Sequence, residues 1–244
     1  MRHHVTRVLV LLSCHLMAGR AIGAQQAPAH SHEVRWWHLA LVAGTIGVAS
    51  LADRTADRWF QEQRSSGSDA VARMVRHGGQ PELTLGVPAG LLVAGAIRRS
   101  ATLERRGGRV IASVIVAGLT AETVKKVAGR VRPVDTTDQY VFRPFSNHDA
   151  LPSGHATMAF ALATSLSKEI HRPWASALLY VGAAGTAWSR LNDHRHWLSD
   201  VLTGGVIGVA AGNVIEGRWR IFGLGTPHIL VEPQGTRLEW RAGF

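Results

Sequence analysis

An all-α bundle of about six core helices, closed by a small C-terminal β-hairpin, is the fold this sequence predicts. Three observations carry the prediction. First, stretches rich in Ala, Val, Leu and Gly recur along the chain with polar spacers between them. Second, none of them alternates apolar and polar residues as a half-buried strand would, and their lengths suit helices. Third, only the C-terminus holds short apolar runs around a turn-like Glu232-Pro233-Gln234-Gly235. At 244 residues, 46% of them hydrophobic, the chain fits one domain with a real core.

Taken in order, residues 1–24 read as an export signal. Arg2 and Arg7 precede the apolar Val8–Leu12 run, and the small residues Ala21, Gly23 and Ala24 follow. An uncleaved anchor or a lipid on Cys14, the single cysteine, would be the other uses of such a segment. Residues 25–35 read as a linker and residues 36–220 as the helical domain. Its six helical stretches are 36–52, 83–97, 110–125, 155–170, 174–190 and 198–216. A further amphipathic helix is expected from Ser68 to Arg76, where Ala70, Val71 and Met74 share a face. In the 221–244 tail, His228–Val231 and Leu238–Trp240 read as the two arms of the hairpin.

None of the six stretches reaches the ~20 apolar residues that cross a bilayer, and mean hydropathy is only +0.04. With an export signal, six crossings would also leave the segment after the third helix in the cytoplasm. A bundle in the periplasm or associated with the membrane avoids that conflict, so an exported, envelope location is expected. The 27 Lys and Arg against 17 Asp and Glu give a net charge of +10 and call for an anionic partner. Nucleic acid is not expected in that role: no groove-reading motif is present, and the basic residues are scattered. Nothing in the sequence dictates an oligomeric state.

Three clusters hold the residues from which a reaction centre could be built. In the first, Lys125 and Arg132 are seven residues apart and would share a helical face, with Pro133 ending the helix. Two cations at a helix end also fit plain dipole compensation. In the second, Pro152-Ser153-Gly154-His155 opens an apolar helix, where free N–H groups attract anions; ordinary capping is the plainer use. The third is Ser189-Arg190 followed by His196 and Asp200, which are four residues apart and hence neighbours on a helix. If the last four helices alternate in direction, all three clusters lie at one end of the bundle. They then supply three cations, an anion-binding helix start and two histidines, the equipment phosphoryl transfer needs.

Lys125-x6-Arg132-Pro133, Pro152-Ser153-Gly154-His155 and Ser189-Arg190-x5-His196-x3-Asp200 together resemble the three-part signature of the type 2 phosphatidic acid phosphatase / vanadium haloperoxidase superfamily. The resemblance implies a metal-independent phosphomonoesterase working on lipid or isoprenoid phosphates of the cell envelope, with no cofactor. It implies that His196 attacks phosphorus to form a phosphohistidine and that Asp200 orients it. His155 would protonate the leaving alcohol and then activate water. Lys125, Arg132, Ser153, Gly154 and Arg190 would hold the phosphate oxygens.

The same signature serves vanadate-dependent haloperoxidases, and a non-catalytic anion-binding membrane protein is a third reading. The short chain favours a phosphatase over the former, and the complete His155/His196/Asp200 set argues against the latter. A zinc site using His194 and His196 is disfavoured by the neighbouring cations. Lys126, Arg130, Arg143 and Arg195 are expected to be surface charge, and His148, Asp149 and Asp193 to shape the pocket or be solvated. Trp36 and Trp37 suit either a membrane interface or a core.

Overall fold

A computed structural model describes residues 31–222, 228–232 and 235–239; the expected export signal of residues 1–24 lies outside them. The described residues form an all-α bundle with two small two-stranded sheets. The helices are α1 (Trp36–Leu51), α2 (Asp53–Glu62), α3 (Ser66–Val75), α4 (Pro81–Thr84), α5 (Gly86–Arg98), α6 (Ala101–Ala128), α7 (Gly154–Ile170), α8 (Pro173–Asn192) and α9 (Leu198–Ile215). Short 3₁₀ turns occupy Arg76–Gly79 and Pro133–Asp135.

The centre of the bundle is α7, which packs on α6, α8 and α9. Its sequence is dominated by small residues, and Ala156, Ala159, Ala161, Ala163, Thr157 and Thr164 are all buried. Small side chains let neighbouring backbones come close. The closest approach is to α9, where Gly204, Gly208 and Gly212 form a stripe at every fourth residue. A Cβ on Gly208 would sit 2.4 Å from the Thr157 carbonyl oxygen, and one on Gly204 would sit 2.5 Å from that of Ser153. Against this pair, Val110, Val114 and Ala117 of α6 close the apolar core with Ala161, Leu162 and Ala211.

Several elements differ from the sequence reading. The helix α6 begins at Ala101 rather than near residue 110, capped by Ser100. Its Arg-Arg-Gly-Gly-Arg stretch looks like a spacer but is helical for two reasons. Arg106 and Arg109 pair with Glu169 at 3.0 and 3.2 Å, and Arg109 also reaches Glu216 at 3.1 Å. Gly107, in turn, lets α6 close on Pro88 and Leu92 of α5. A charged helix, α2, follows α1 at a bend of 54°; it lacks the apolar run by which the others were found. Inside the expected linker, His32–Val34 forms strand β1, parallel to β2 (Trp219–Ile221). The C-terminal hairpin pairs β3 (His228–Glu232) with β4 (Gly235–Glu239), antiparallel; Trp240 lies outside the described residues.

On α1 not one residue is buried: Trp36, Leu41, Val48 and Leu51 all face outward. Val93 and Ile97 on α5, Ile115 and Leu119 on α6, and Leu178 and Val181 on α8 are exposed as well. Only α9 is both long and apolar enough by itself to cross a membrane among the described residues, and α1 with α2 would do so as a bent pair.

Candidate active site

The end of α6, the start of α7, the end of α8 and the loop before α9 meet at one end of the bundle. They enclose a cleft of about 610 Å³ lined by Lys125, Arg132, Gly154, His155, Arg190 and His196, with Arg64, Arg76, Asp149, Asp193 and Arg195 completing the wall. Six of the seven residues singled out for the reaction, together with Gly154, are therefore at or beside one cleft, Ser153 directly preceding its helix. Asp200 stands behind it.

Each side chain arrives by a local device. Lys125 sits in the last turn of α6, where its amine meets Glu122 at 2.7 Å. Gly154 leaves room for that amine, because a Cβ there would lie 3.2 Å from Lys125 Nζ. The helix stops at Ala128, and Gly129 takes the left-handed conformation, φ +54°, with a Cβ position only 1.8 Å from the Arg143 carbonyl. Only glycine fits there. This corrects the expected geometry of the first cluster: Arg132 is extended, φ −75° and ψ 153°, and shares no helical face with Lys125. It reaches the cleft from the loop and pairs with Asp149 at 2.8 Å.

Ser153 is at the N-cap of α7 but makes no side-chain cap. Its backbone N–H instead donates to the Asp200 carbonyl at 2.9 Å, and its hydroxyl, fully buried, has no hydrogen-bond partner. The Nε–H groups of Arg132 and Arg190 are likewise buried without partners. Buried donors are rarely left unpaired in folded proteins. An oxyanion in the cleft that Arg132 and Arg190 line would offer those two groups an acceptor. Arg190 itself is held by Asp193 at 2.8 Å.

The two imidazoles differ. His196 is 4% exposed, and its Nδ1 lies 2.7 Å from the Ala150 carbonyl oxygen. A carbonyl can only accept, so Nδ1 carries the proton and Nε2 keeps its lone pair. Burial first, and then the nearby Arg190, hold its pKa well below the usual histidine value, so the ring is neutral. Asp200, expected to orient His196, does not accept the proton of Nδ1. Its Oδ2 is 3.9 Å away and accepts the Trp197 N–H at 2.9 Å, while Oδ1 accepts from Arg130 at 2.6 Å. His155, in the first turn of α7, is half-buried. Burial, then Arg190, Lys125 and Arg76, depress its pKa to about 4.

Arg130 is not surface charge. It is 2% exposed and joins Asp53 of α2, at 2.8 Å, to Asp200 of α9 and to the Ser199 hydroxyl. Its backbone carbonyl accepts the Ala150 N–H at 3.0 Å. The same residue thus secures both Asp200 and the peptide that orients His196. Arg195 is exposed, as expected of surface charge, and stands at the cleft wall with Asp149 and Asp193. The H-x-H pair splits: His194 Nε2 meets Asp57 at 3.1 Å and His196 meets Ala150. Arg64, Arg76, Asp53 and Ala150 were not foreseen. The Gly78-Gly79 pair after Arg76 was the one available signal, since a Cβ on Gly79 would sit 2.5 Å from the His155 carbonyl.

A helical bundle with a cationic cleft at one end and two imidazoles facing into it is built to receive an anion. Residues 106–218 match the PAP2 superfamily. It is 38% identical over 93 residues to the lipid A 1-phosphatase of Porphyromonas gingivalis, covering 37% of this chain and 18% of that protein. It is 35% identical over 95 residues to a putative undecaprenyl-diphosphatase of Escherichia coli, covering 38% of this chain and 46% of that one. The matched region thus spans less than half the length of either relative. The fold is like that of a transmembrane PAP2-type phosphatidylglycerolphosphate phosphatase from Bacillus subtilis, with a TM-score of 0.57 and 17% identity over 73% of this chain and 94% of that one.

Proposed function

We propose that this protein is a phosphatase that removes phosphate from lipid or isoprenoid phosphates at a membrane of the cell envelope, through a phosphohistidine on His196. The observation that carries the reading is the convergence of three distant motifs on one cleft, with the Arg132 and Arg190 Nε–H groups buried and unpartnered there and the unpartnered Ser153 hydroxyl directly before Gly154. Lys125, Arg132 and Arg190 hold the non-bridging oxygens, helped by Ser153 Oγ and the Gly154 N–H at the start of α7. His196 Nε2 attacks phosphorus while Nδ1–H stays on the Ala150 carbonyl. His155 gives a proton to the leaving oxygen and then takes one from water for the second step. Asp200 acts as a positioning residue, holding the Trp197 N–H and Arg130. The donor set is cationic, so charge neutralisation on the oxyanion comes from side chains rather than a metal.

The exposed apolar residues of α1, with others on α5, α6 and α8, support a membrane-associated position and a lipid substrate. The test is a panel of lipid phosphates and p-nitrophenyl phosphate with wild type and His196→Ala. Wild type is expected to release phosphate and His196→Ala to lose turnover by at least about 10³-fold. Labelled phosphate should be trapped on His196 at alkaline quench. Wild-type-like rates in His196→Ala would sink the mechanism.

A further inference from the structure

The signature cations are each already matched with a carboxylate: Lys125 with Glu122, Arg132 with Asp149 and Arg190 with Asp193. Arg64 of the same cleft is paired with Asp69 at 2.8 Å. Arg76 also lines the cleft, and it has no ion pair among the described residues. Its Nε–H is buried without a hydrogen-bond partner. Arg195 is unpaired as well, but it is exposed, where water serves its donors. A buried donor has no such recourse, and proteins seldom leave one empty. An anion in the cleft that Arg76 lines would offer it an acceptor.

The backbone sets where Arg76 stands. It opens the 3₁₀ turn between α3 and α4. The Thr186 hydroxyl of α8 donates to the Val75 carbonyl at 2.7 Å, directly before Arg76. Gly78 and Gly79 then press the turn onto α8 and α7. A Cβ on Gly78 would collide with Thr186 Oγ1, and one on Gly79 would lie 2.5 Å from the His155 carbonyl oxygen. The turn that carries Arg76 therefore lies against the backbone of His155. After burial, which lowers both most, the Arg76 charge is among those that hold down the pKa values of His155 and Arg190. Arg76 is thus a cation among cations, with no carboxylate to answer it. Such a guanidinium gains more from an incoming phosphate than a cation already in an ion pair.

We propose that Arg76 is a further substrate-contact residue, a cation outside the three signature motifs that binds an oxygen of the reacting phosphate on the His155 side of the cleft. The role in turnover rests on the phosphatase reading; the contact itself is one that any phosphate oxyanion would make. The planar guanidinium presents its Nε–H and terminal N–H groups as a fork that suits two oxygens. Arg76 supplies the positive charge that the three signature ion pairs leave partly spent.

The test measures binding of inorganic phosphate to the full-length protein by calorimetry, which needs no turnover. Arg76→Gln is expected to weaken phosphate by at least about tenfold. Arg76→Lys, which keeps the charge and loses the fork, should fall between it and wild type. Arg105→Gln, exposed near the start of α6 and outside the cleft, should bind as wild type does. Arg76 has no partner to strand, so Arg76→Gln should melt within about 2 °C of wild type. With p-nitrophenyl phosphate, its kcat/KM should fall by about tenfold too. A second readout needs no variant. Modification of Arg76 by phenylglyoxal, followed by peptide mass spectrometry, should slow in saturating phosphate while that of Arg105 does not. Equal phosphate affinity in Arg76→Gln and wild type, or Arg76 modification indifferent to phosphate, would overturn the contact and leave the phosphatase reading standing. Weakened binding in Arg76→Gln, in a protein whose wild type hydrolyses no ester, would uphold the contact and overturn the phosphatase reading. Wild type that neither binds phosphate nor hydrolyses an ester would overturn both.

Discussion

Arg130 offers the sharpest test of how the site is held. Replacing it with Met keeps a long apolar stem and removes the guanidinium. Five hydrogen bonds go with it: two to the Gln139 carbonyl at 3.1 and 2.6 Å, and one each to Asp53, Asp200 and Ser199 at 2.8, 2.6 and 2.8 Å. Both carboxylates are fully buried. Asp53 keeps the Ser199 N–H and hydroxyl, and Asp200 keeps the Trp197 N–H, but neither keeps its counter-charge. Breaking one partner out of a buried ion network costs about 3–5 kcal/mol. For a chain of this size that is a fall in Tm of about 6–20 °C. The assay is thermal unfolding followed by circular dichroism, with phosphatase activity measured below the transition. Adding Asp53→Asn to Arg130→Met should restore part of the loss, because it removes one stranded charge. A variant Arg130→Met melting within about 2 °C of wild type would refute the network as a structural centre.

Three further outcomes are expected. His155 should stay neutral down to about pH 4 in anion-free protein, and its titration, read by NMR, should move upward when phosphate is added; a free-protein value near 6.5 would remove the influence of burial and the neighbouring cations. Its effect on stability has a definite sign: the unfolded ring takes its proton first, so the contribution is complete above about pH 6.5 and is lost as pH falls toward 4. Gly208→Val should destabilise by about 1–3 kcal/mol in denaturant unfolding, because the new Cβ meets the Thr157 carbonyl, whereas Gly44→Ala on the exposed α1, meeting nothing within 4 Å, should be neutral or slightly stabilising. Chelators should leave phosphate release unchanged and vanadate should inhibit it; loss of activity that zinc restores would favour a metal instead.

Much of the bundle is legible in the sequence because its helices are apolar and uniform. The six stretches correspond to α1, α5, α6, α7, α8 and α9, and the Ser68–Arg76 helix to α3, since each announces itself by composition over more than two turns. What is not legible is whatever depends on pairing between distant segments. Nothing near Asp53 marks it as buried, because its burial comes from Arg130, 77 residues away. Arg130 reads as one more cation in a basic segment until that carboxylate and Asp200 are placed beside it. The three-residue β1 has no local signal and exists only through Trp219–Ile221. At the site the residue types were legible and their partners were not. His196 and Asp200 at i and i+4 look like a hydrogen-bonded pair, but His196 precedes α9 rather than lying within it. Its ring turns to the Ala150 carbonyl instead, an acceptor no side-chain motif can reveal.

The cations around the cleft explain both why it attracts an oxyanion and why its histidines start uncharged. Lys125 and Arg190 depress His155, and Arg190 and Arg132 depress His196, on top of burial. A neutral His196 with Nδ1–H fixed on a carbonyl is a nucleophile without a prior deprotonation. A neutral His155 is at first the wrong form for an acid. A phosphate dianion entering between them would offset the share of both shifts that the cations cause. Burial, the first cause of the lowered His155 pKa, remains, but with the cations offset the ring would, on the proposed mechanism, hold a proton against the leaving oxygen more readily. His196 remains fixed by Ala150 and by its burial, so its lone pair stays directed at phosphorus. On the proposed mechanism, substrate charge would help make His155 the acid while the Ala150 carbonyl keeps His196 the nucleophile, and an uncharged ester entering the same cleft would leave His155 unprotonated and the reaction without its acid.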